Sequence, residues 1–341
     1  MSGPRLIQTD TFAKSMRERI IKPTEGQILI SRLEHSDQED DLTVPPNCEG
    51  LGRIRHFRRA ASENWPSNSL PIDPAAAALG LARADMMRAQ VFQNAACAWR
   101  CWYCYVPYNL LAGDATRGRW VTADALVDLY LREPDRPQIL DLSGGSPDLT
   151  PEWTVWMMES LERAGAADTT YLWSDDNLST DYLFTKLSDQ QRRRLRAHKN
   201  YGRVCCFKGF DNASFQFNTG ADGAGFDAQF EIFQRYLGLG IDLYGYVTLT
   251  GPELSTVDEG MPVFMDRLQR LDEAWPLRIV PLRIEPFAPN TLRQERRHWS
   301  NAQTDAVQDQ AIALWNDLIE RRFSAAERAA PIYSIPLGAR A

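Results

Sequence analysis

From Met86 onward, apolar runs of strand length alternate with stretches whose apolar residues recur every three to four positions. The strand-like runs cover residues 88–93, 138–142, 169–174, 203–207, 241–249 and 277–284. Helical spacing covers 122–131, 151–164, 180–197, 227–237 and 256–273. The second of these helices is punctuated at both ends, with Thr150 as N-cap, Pro151 at the first helical position and Gly165 just beyond the last turn. Strand–helix alternation implies a parallel sheet, and right-handed crossovers curl it into a partial barrel. A terminal helix near 305–329 and a Pro- and Gly-containing tail complete an α/β chain.

Before residue 86 the pattern is weaker. It holds a basic amphipathic piece at 16–22, a strand candidate at 27–31 and a charged stretch at 34–41. The expected organisation is an N-terminal extension (1–85), a barrel (86–290) and a C-terminal helical segment and tail (291–341). The acidic run Asp37, Glu39, Asp40, Asp41 reads as a solvated loop, and Arg53, Arg55, Arg58 and Arg59 as a solvated helix face. No internal repeat or low-complexity linker interrupts the chain.

At 341 residues the chain exceeds the usual single domain but suits one α/β barrel with extensions. A composition of 44% hydrophobic and 24% charged residues is that of a globular protein with a substantial core. The net charge of −7 leaves no broad basic surface, so nucleic acid is not an expected partner. Neither a signal-like apolar core nor a membrane-length apolar run occurs, and a cytoplasmic protein with no membrane association is expected. Six cysteines are too few for a disulfide framework, and three of them crowd into eight positions, which suggests a metal site.

Those three, Cys97, Cys101 and Cys104, form a CxxxCxxC loop. Three thiolates at this spacing can each bind one iron of a cubane cluster and leave the fourth iron without a protein ligand. An open iron can accept a cofactor or substrate as a Lewis acid. The alternatives are a zinc site completed by a distant histidine, or unrelated buried thiols. Zinc more often shows two CxxC pairs, and none of the four histidines (His35, His56, His198, His298) adjoins the loop. Residues 94–105, Asn-Ala-Ala-Cys-Ala-Trp-Arg-Cys-Trp-Tyr-Cys-Tyr, resemble the signature loop of the radical S-adenosylmethionine (SAM) superfamily, including the aromatic Tyr103 before the last cysteine. The loop also follows the first strand of the alternating region, where that family places it in a partial (β/α)6 barrel. The resemblance implies a single 4Fe-4S cluster on the three cysteines, with SAM chelated at the open iron through its amino and carboxylate groups. It further implies reductive cleavage to a 5′-deoxyadenosyl radical, hydrogen abstraction from substrate, Tyr103 near the adenine, and an external flavodoxin- or ferredoxin-like electron donor.

Three further segments extend the resemblance. Gly144-Gly145-Ser146-Pro147 is similar to the family's Gly-Gly-Glu-Pro motif, with Ser146 in place of the glutamate, and implies contact with the SAM amino group. Ser174-Asp175-Asp176-Asn177 resembles the Asp-Thr-Asn segment of glycyl-radical-enzyme activases, which implies SAM contacts from Asp175 and Asn177; a helix N-cap at Asn177 is the alternative. Lys208 lies where those activases carry a lysine, able to neutralise the SAM carboxylate, unless it is a surface residue. Cys205 and Cys206, being adjacent, point to opposite faces of a strand and read as core residues, as does Cys48. Arg283 and Glu285 share one face of the last strand candidate; Glu285 is assigned to SAM or substrate, with a structural ion pair for Arg283 as the other reading. Tyr244 and Tyr246 read as core packing rather than substrate lining. No cysteine follows Cys206, which argues against auxiliary clusters. The substrate is a small molecule, a peptide or a protein, and the sequence does not name it. A glycyl-radical-type activase and a non-catalytic Fe-S or zinc-binding scaffold are the competing readings.

Overall fold

The computed structural model describes residues 6–61, 67–285, 287–297 and 301–338. Among them the strands are β1 (Ile21–Lys22), β2 (Gln27–Ser31), β3 (Gly52–Arg58), β4 (Met86–Phe92), β5 (Gly118–Thr122), β6 (Ile139–Leu142), β7 (Tyr171–Asp176), β8 (Tyr201–Phe207), β9 (Leu243–Val247) and β10 (Ile279–Pro281). The main sheet runs β10-β9-β8-β7-β6-β4-β3 and curls into a half-barrel. All its pairings are parallel except β3 with β4. A small antiparallel sheet, β1-β2-β5, stands beside it.

Both faces of the main sheet are covered, so its strands carry apolar residues at successive positions rather than at alternate ones. Leu140, Leu142, Leu172, Cys205, Phe207 and Val247 face the helices, where Phe207 meets Phe230 at 5.1 Å and Phe233 at 5.9 Å from the helix Gly225–Leu237. Ala89, Ile139, Tyr171, Trp173, Val204, Cys206, Tyr244 and Tyr246 face inward and form an aromatic floor, closed by Leu70 and the helix Ile72–Ala78. Cys205 and Cys206 thus belong to opposite faces, and Tyr244 and Tyr246 are packed in the floor.

Local signals explain most element ends. Thr122 caps the helix Ala123–Arg132 by accepting the Ala125 N–H, and Pro151 opens the helix Pro151–Arg163. The helix expected over 180–197 divides into Tyr182–Thr185 and Asp189–Ala197, because Ser188 and Gln191 form a capping box that starts a new helix. The terminal helix likewise divides, into Asn301–Arg322 and Ala325–Ala329, where Ser324 caps the second piece.

Two readings are corrected. Arg53, Arg55 and Arg58 do not lie on a solvated helix face. They belong to β3, where period-two alternation places Arg53, Arg55 and Phe57 on the inner face and Arg53 is 6% exposed. Arg59, just beyond, pairs with Asp73. The last strand also stops at Pro281 rather than 284, as suits an edge strand ending on a residue without an N–H. Arg283 therefore lies outside the sheet, exposed and paired with Asp309. Helices that the pattern left unassigned cover Thr9–Ile20, Asn212–Thr219 and Ala288–Arg297. Among the described residues, no helix is long and apolar enough to cross a membrane.

Between sheet and helices lies a buried ion pair, Arg203 with Asp176, supported by Tyr201 Oη (3.0 Å from Arg203 Nε) and by Tyr236 Oη, which donates to Asp176 at 2.7 Å. Removing one member strands the other charge away from water. Asp176→Ala is expected to lower the unfolding free energy by about 3 kcal/mol in urea titrations, whereas Asp309→Ala, at an exposed pair, changes it by less than about 1 kcal/mol.

Candidate active site

The cysteine loop leaves the carboxyl end of β4 and is pinned by groups from distant parts of the chain. On one side, Arg100 N–H donates to the Thr219 carbonyl at 3.0 Å and Trp102 N–H to the Asn218 carbonyl at 3.1 Å. The Asn218 amide accepts from Trp102 Nε1 and donates to the carbonyls of Lys208 and Thr250, tying the loop to the ends of β8 and β9. On the other side, Arg293 donates to the carbonyls of Trp102, Cys104 and Val106, with its guanidinium 3.8 Å over the Tyr108 ring. Tyr108 Oη donates to the carbonyls of Arg100 and Cys101, and the Arg100 guanidinium to those of Cys97, Trp99 and Leu111. Buried carbonyls need donors, and here side chains supply what a sheet ladder would supply elsewhere.

The turn after β6 closes on this loop. Gly144 and Gly145 have φ of +87° and +70°. A Cβ on Gly145 would lie 1.9 Å from Asn94 Oδ1 and 2.6 Å from the Ala96 carbonyl, so only glycine permits the approach. Asn94 exchanges hydrogen bonds with the backbone of Ser146 at 2.9 and 3.1 Å. Ser146 Oγ is 3.6 Å from Cys97 Sγ and accepts from the Ala98 N–H at 3.3 Å and from Asn177 Nδ2 at 2.8 Å.

Asn177, one residue past β7, is not a helix cap; its amide bridges Ser146 Oγ and, at 3.8 Å, Cys97 Sγ. Asp175 points inward and accepts from Ser143 Oγ at 2.5 Å. Lys208 follows β8 and faces Tyr103, Cys206, Cys101 and Cys97; burial opposes its charge, but those neighbours hold its ammonium well above the usual range. Burial pushes the Cys101 thiol up to about 12; Lys208 pulls against this, and Cys97 and Cys104 add to the rise. Cys104 is raised by burial and by Cys97. The Tyr103 hydroxyl stands beside Cys101, Lys208 and Thr248. Among the described residues, no three His, Cys, Asp or Glu side chains converge as ligands of a single ion would. Glu285 is half-buried in the segment after β10, where its carbonyl accepts from Asn290 Nδ2.

Sequence reasoning missed a second inward polar group. Arg53 and Arg55 approach from β3, Asp141 from β6 and Tyr105 from the residue after Cys104; Arg53 Nη2 donates to Tyr105 Oη at 2.5 Å, and Arg55 lies 3.4 Å from Asp141. Alternation along 53–57 was the available signal. Arg293 and Asn218 gave none, because their roles are set by contacts more than 100 residues away.

No protein-family model matches the chain, and no curated protein matches it. Solved structures do. Streptococcus suis SuiB bound to S-adenosylmethionine matches with a TM-score of 0.44 and 13% identity, over 69% of this chain and 48% of its own. Spore photoproduct lyase with bound AdoMet and dinucleoside spore photoproduct matches at 0.43 and 13%, over 67% and 72%. Native anSMEcpe with bound AdoMet and a peptide matches at 0.37 and 14%, over 56% and 49%. The match spans between 36% and 50% of the length of the SuiB chains.

Burial and the nearby Asp175 raise the Asp141 carboxyl to about 7, against the pull of Arg55 and Arg53. The folded protein therefore retains a proton there that the unfolded chain has lost above pH ~4, and the associated stability fades as pH rises toward 7. Asp141→Asn lacks this loss. Its stability relative to the parent should rise by about 2 kcal/mol between pH 5 and pH 8 in urea titrations at each pH.

Proposed function

We propose that the chain is a radical SAM enzyme in which Cys97, Cys101 and Cys104 hold one 4Fe-4S cluster, on a barrel of the (β/α)6 type. The bound cluster and SAM supply one-electron reductive cleavage of the sulfonium and hence a 5′-deoxyadenosyl radical that abstracts hydrogen from an organic substrate. The observation that carries the reading is the convergence of the three-thiol loop, the Gly144-Gly145-Ser146 turn and Lys208 at the carboxyl ends of β4, β6 and β8. Active groups of such barrels gather at that end.

The donor set fits such a cluster. A cubane asks each thiolate to bind a different iron, so the thiols need not converge on one point. Burial disfavours ionisation of Cys101 and Cys104 without a cation, which is the condition under which metal binding releases protons and stabilises the fold. In this reading Gly144 and Gly145 keep Cβ atoms away from the SAM amino group, Ser146 and Asn177 orient Cys97, and Lys208 neutralises the SAM carboxylate. Asp175 and Tyr103 contact the sugar and adenine side, and Glu285 serves SAM or substrate. The substrate is a small molecule or a peptide, and electrons arrive from a flavodoxin- or ferredoxin-like donor.

Anaerobic reconstitution with iron and sulfide, then dithionite and SAM, should yield four irons per chain and 5′-deoxyadenosine by chromatography. Alanine at Cys97, Cys101 or Cys104 should abolish both, while Cys205→Ala retains nearly full iron. Loss of the cluster in Cys205→Ala as complete as in Cys101→Ala would defeat the assignment, as would stoichiometric zinc in place of iron. Lys208→Ala should weaken SAM binding roughly tenfold, the scale of one charge-assisted contact, with iron content unchanged.

A further inference from the structure

Arg53 is the least expected group inside the half-barrel. It is 6% exposed, and among the described residues no carboxylate lies within ion-pair distance of it. Its Nη2 donates to Tyr105 Oη and its guanidinium lies 5.1 Å over the Tyr105 ring, while its Nε is buried with no hydrogen-bond partner. Neighbouring Asp141 and Asp175 each keep one buried oxygen without a donor. Arg53, Arg55 and Lys208 together carry one more charge than these two carboxylates can balance. A buried guanidinium without a counter-ion is costly, and natural interiors rarely leave one so.

The same side chain borders a cavity of about 160 Å³, room for about five water molecules at ~30 Å³ each. Arg53, Arg55, Arg58, Asn68 and Tyr105 help line it, and among the described residues Asp41 is the one carboxylate on its wall. It sits at the β3 edge of the half-barrel, beside the residue that follows Cys104.

We infer that Arg53, with Arg55 and Tyr105, forms a subsite for an oxyanion group, a carboxylate or a phosphate, carried by a small substrate of the radical reaction. The assignment to substrate rests on the radical SAM reading; the anion site rests on the buried guanidinium and its cavity alone. A planar guanidinium with its Nε unpartnered can add a second N–H of the same fork to hold two oxygens of one anion, and the Tyr105 hydroxyl, which accepts from Nη2, can donate a third contact. Anchored there, the remainder of the substrate lies along the inner face toward the thiols and Lys208.

Calorimetric titrations with inorganic phosphate and, separately, acetate, at matched ionic strength, test the site. They are run on as-purified protein and on reconstituted protein with saturating SAM. The expected result is one saturable site per chain for one of the two probes, weakened at least tenfold in Arg53→Gln and in Arg53→Lys, which keeps the charge but loses the fork. Tyr105→Phe removes only a hydroxyl, so it tests the site should both arginine variants fold poorly; a threefold or greater weakening is expected. The probe that binds tells which oxyanion the substrate carries. No saturable binding of either probe, or unchanged affinity in the variants, overturns the inference. Competition by SAM also overturns it, because the site would then serve the SAM carboxylate. Iron content and 5′-deoxyadenosine measured on the same preparations separate the two claims: an anion site without a cluster sinks the radical reading alone, and SAM cleavage without an anion site sinks this one alone.

Discussion

A loop that brings three thiols together inside a protein also carries its peptide groups out of water, with only isolated β-bridges at Asn94 and Ala96 in place of a sheet ladder. The arrangement depends on that constraint being met by side chains. Arg100, Tyr108 and Arg293 donate to loop carbonyls, Asn218 accepts from the Trp102 indole and backbone N–H groups, and Asn94 joins the loop to the turn after β6. Each hydrogen bond contributes only about 1 kcal/mol net, but leaving the carbonyl unpaired costs more than forming the bond gains. The loop therefore has little freedom to spread, and the thiols stay facing one another.

The interior of the half-barrel shows the opposite economy. Below, aromatic rings of Tyr171, Trp173, Tyr244 and Tyr246 pack as a conventional core. Above, charged groups are buried with incomplete pairing: Asp141 and Asp175 raised by burial, Arg53 short of an acidic partner among the described residues, Lys208 among thiols. Burying such groups costs stability, and strongly perturbed groups cluster at functional sites.

What the sequence made legible was what local pattern encodes. Six strand-length runs and the CxxxCxxC spacing are short-range features, and the strand runs appear as β4, β6, β7, β8, β9 and β10 with ends shifted by up to a few residues. The strand β3 was hidden because its inward positions hold arginines, so the alternation that marks a half-buried strand was inverted in polarity. That same inversion carries chemistry. Ser188 divided a helix that periodicity had joined, since capping is decided by one side chain while periodicity averages over many. Arg293 and Asn218 were invisible for a different reason: nothing in their own neighbourhoods distinguishes them from other polar residues on amphipathic helices.

The distance along the chain between the loop and its clamps also sets an order of events. Arg293 meets the Cys104 carbonyl across 189 residues, and Asn218 meets Trp102 across 116. The helix Thr9–Ile20, earlier in sequence, lies against the same loop, where Trp99 Nε1 donates to Thr9 Oγ1 and Phe12 lies beneath Arg100. During synthesis the three cysteines are made well before Asn218 and Arg293, the later residues that clamp their loop. Contacts of such high sequence separation form late in folding. Confinement of the thiols thus waits on residues more than a hundred positions further along, and until these dock the loop is open to exchange.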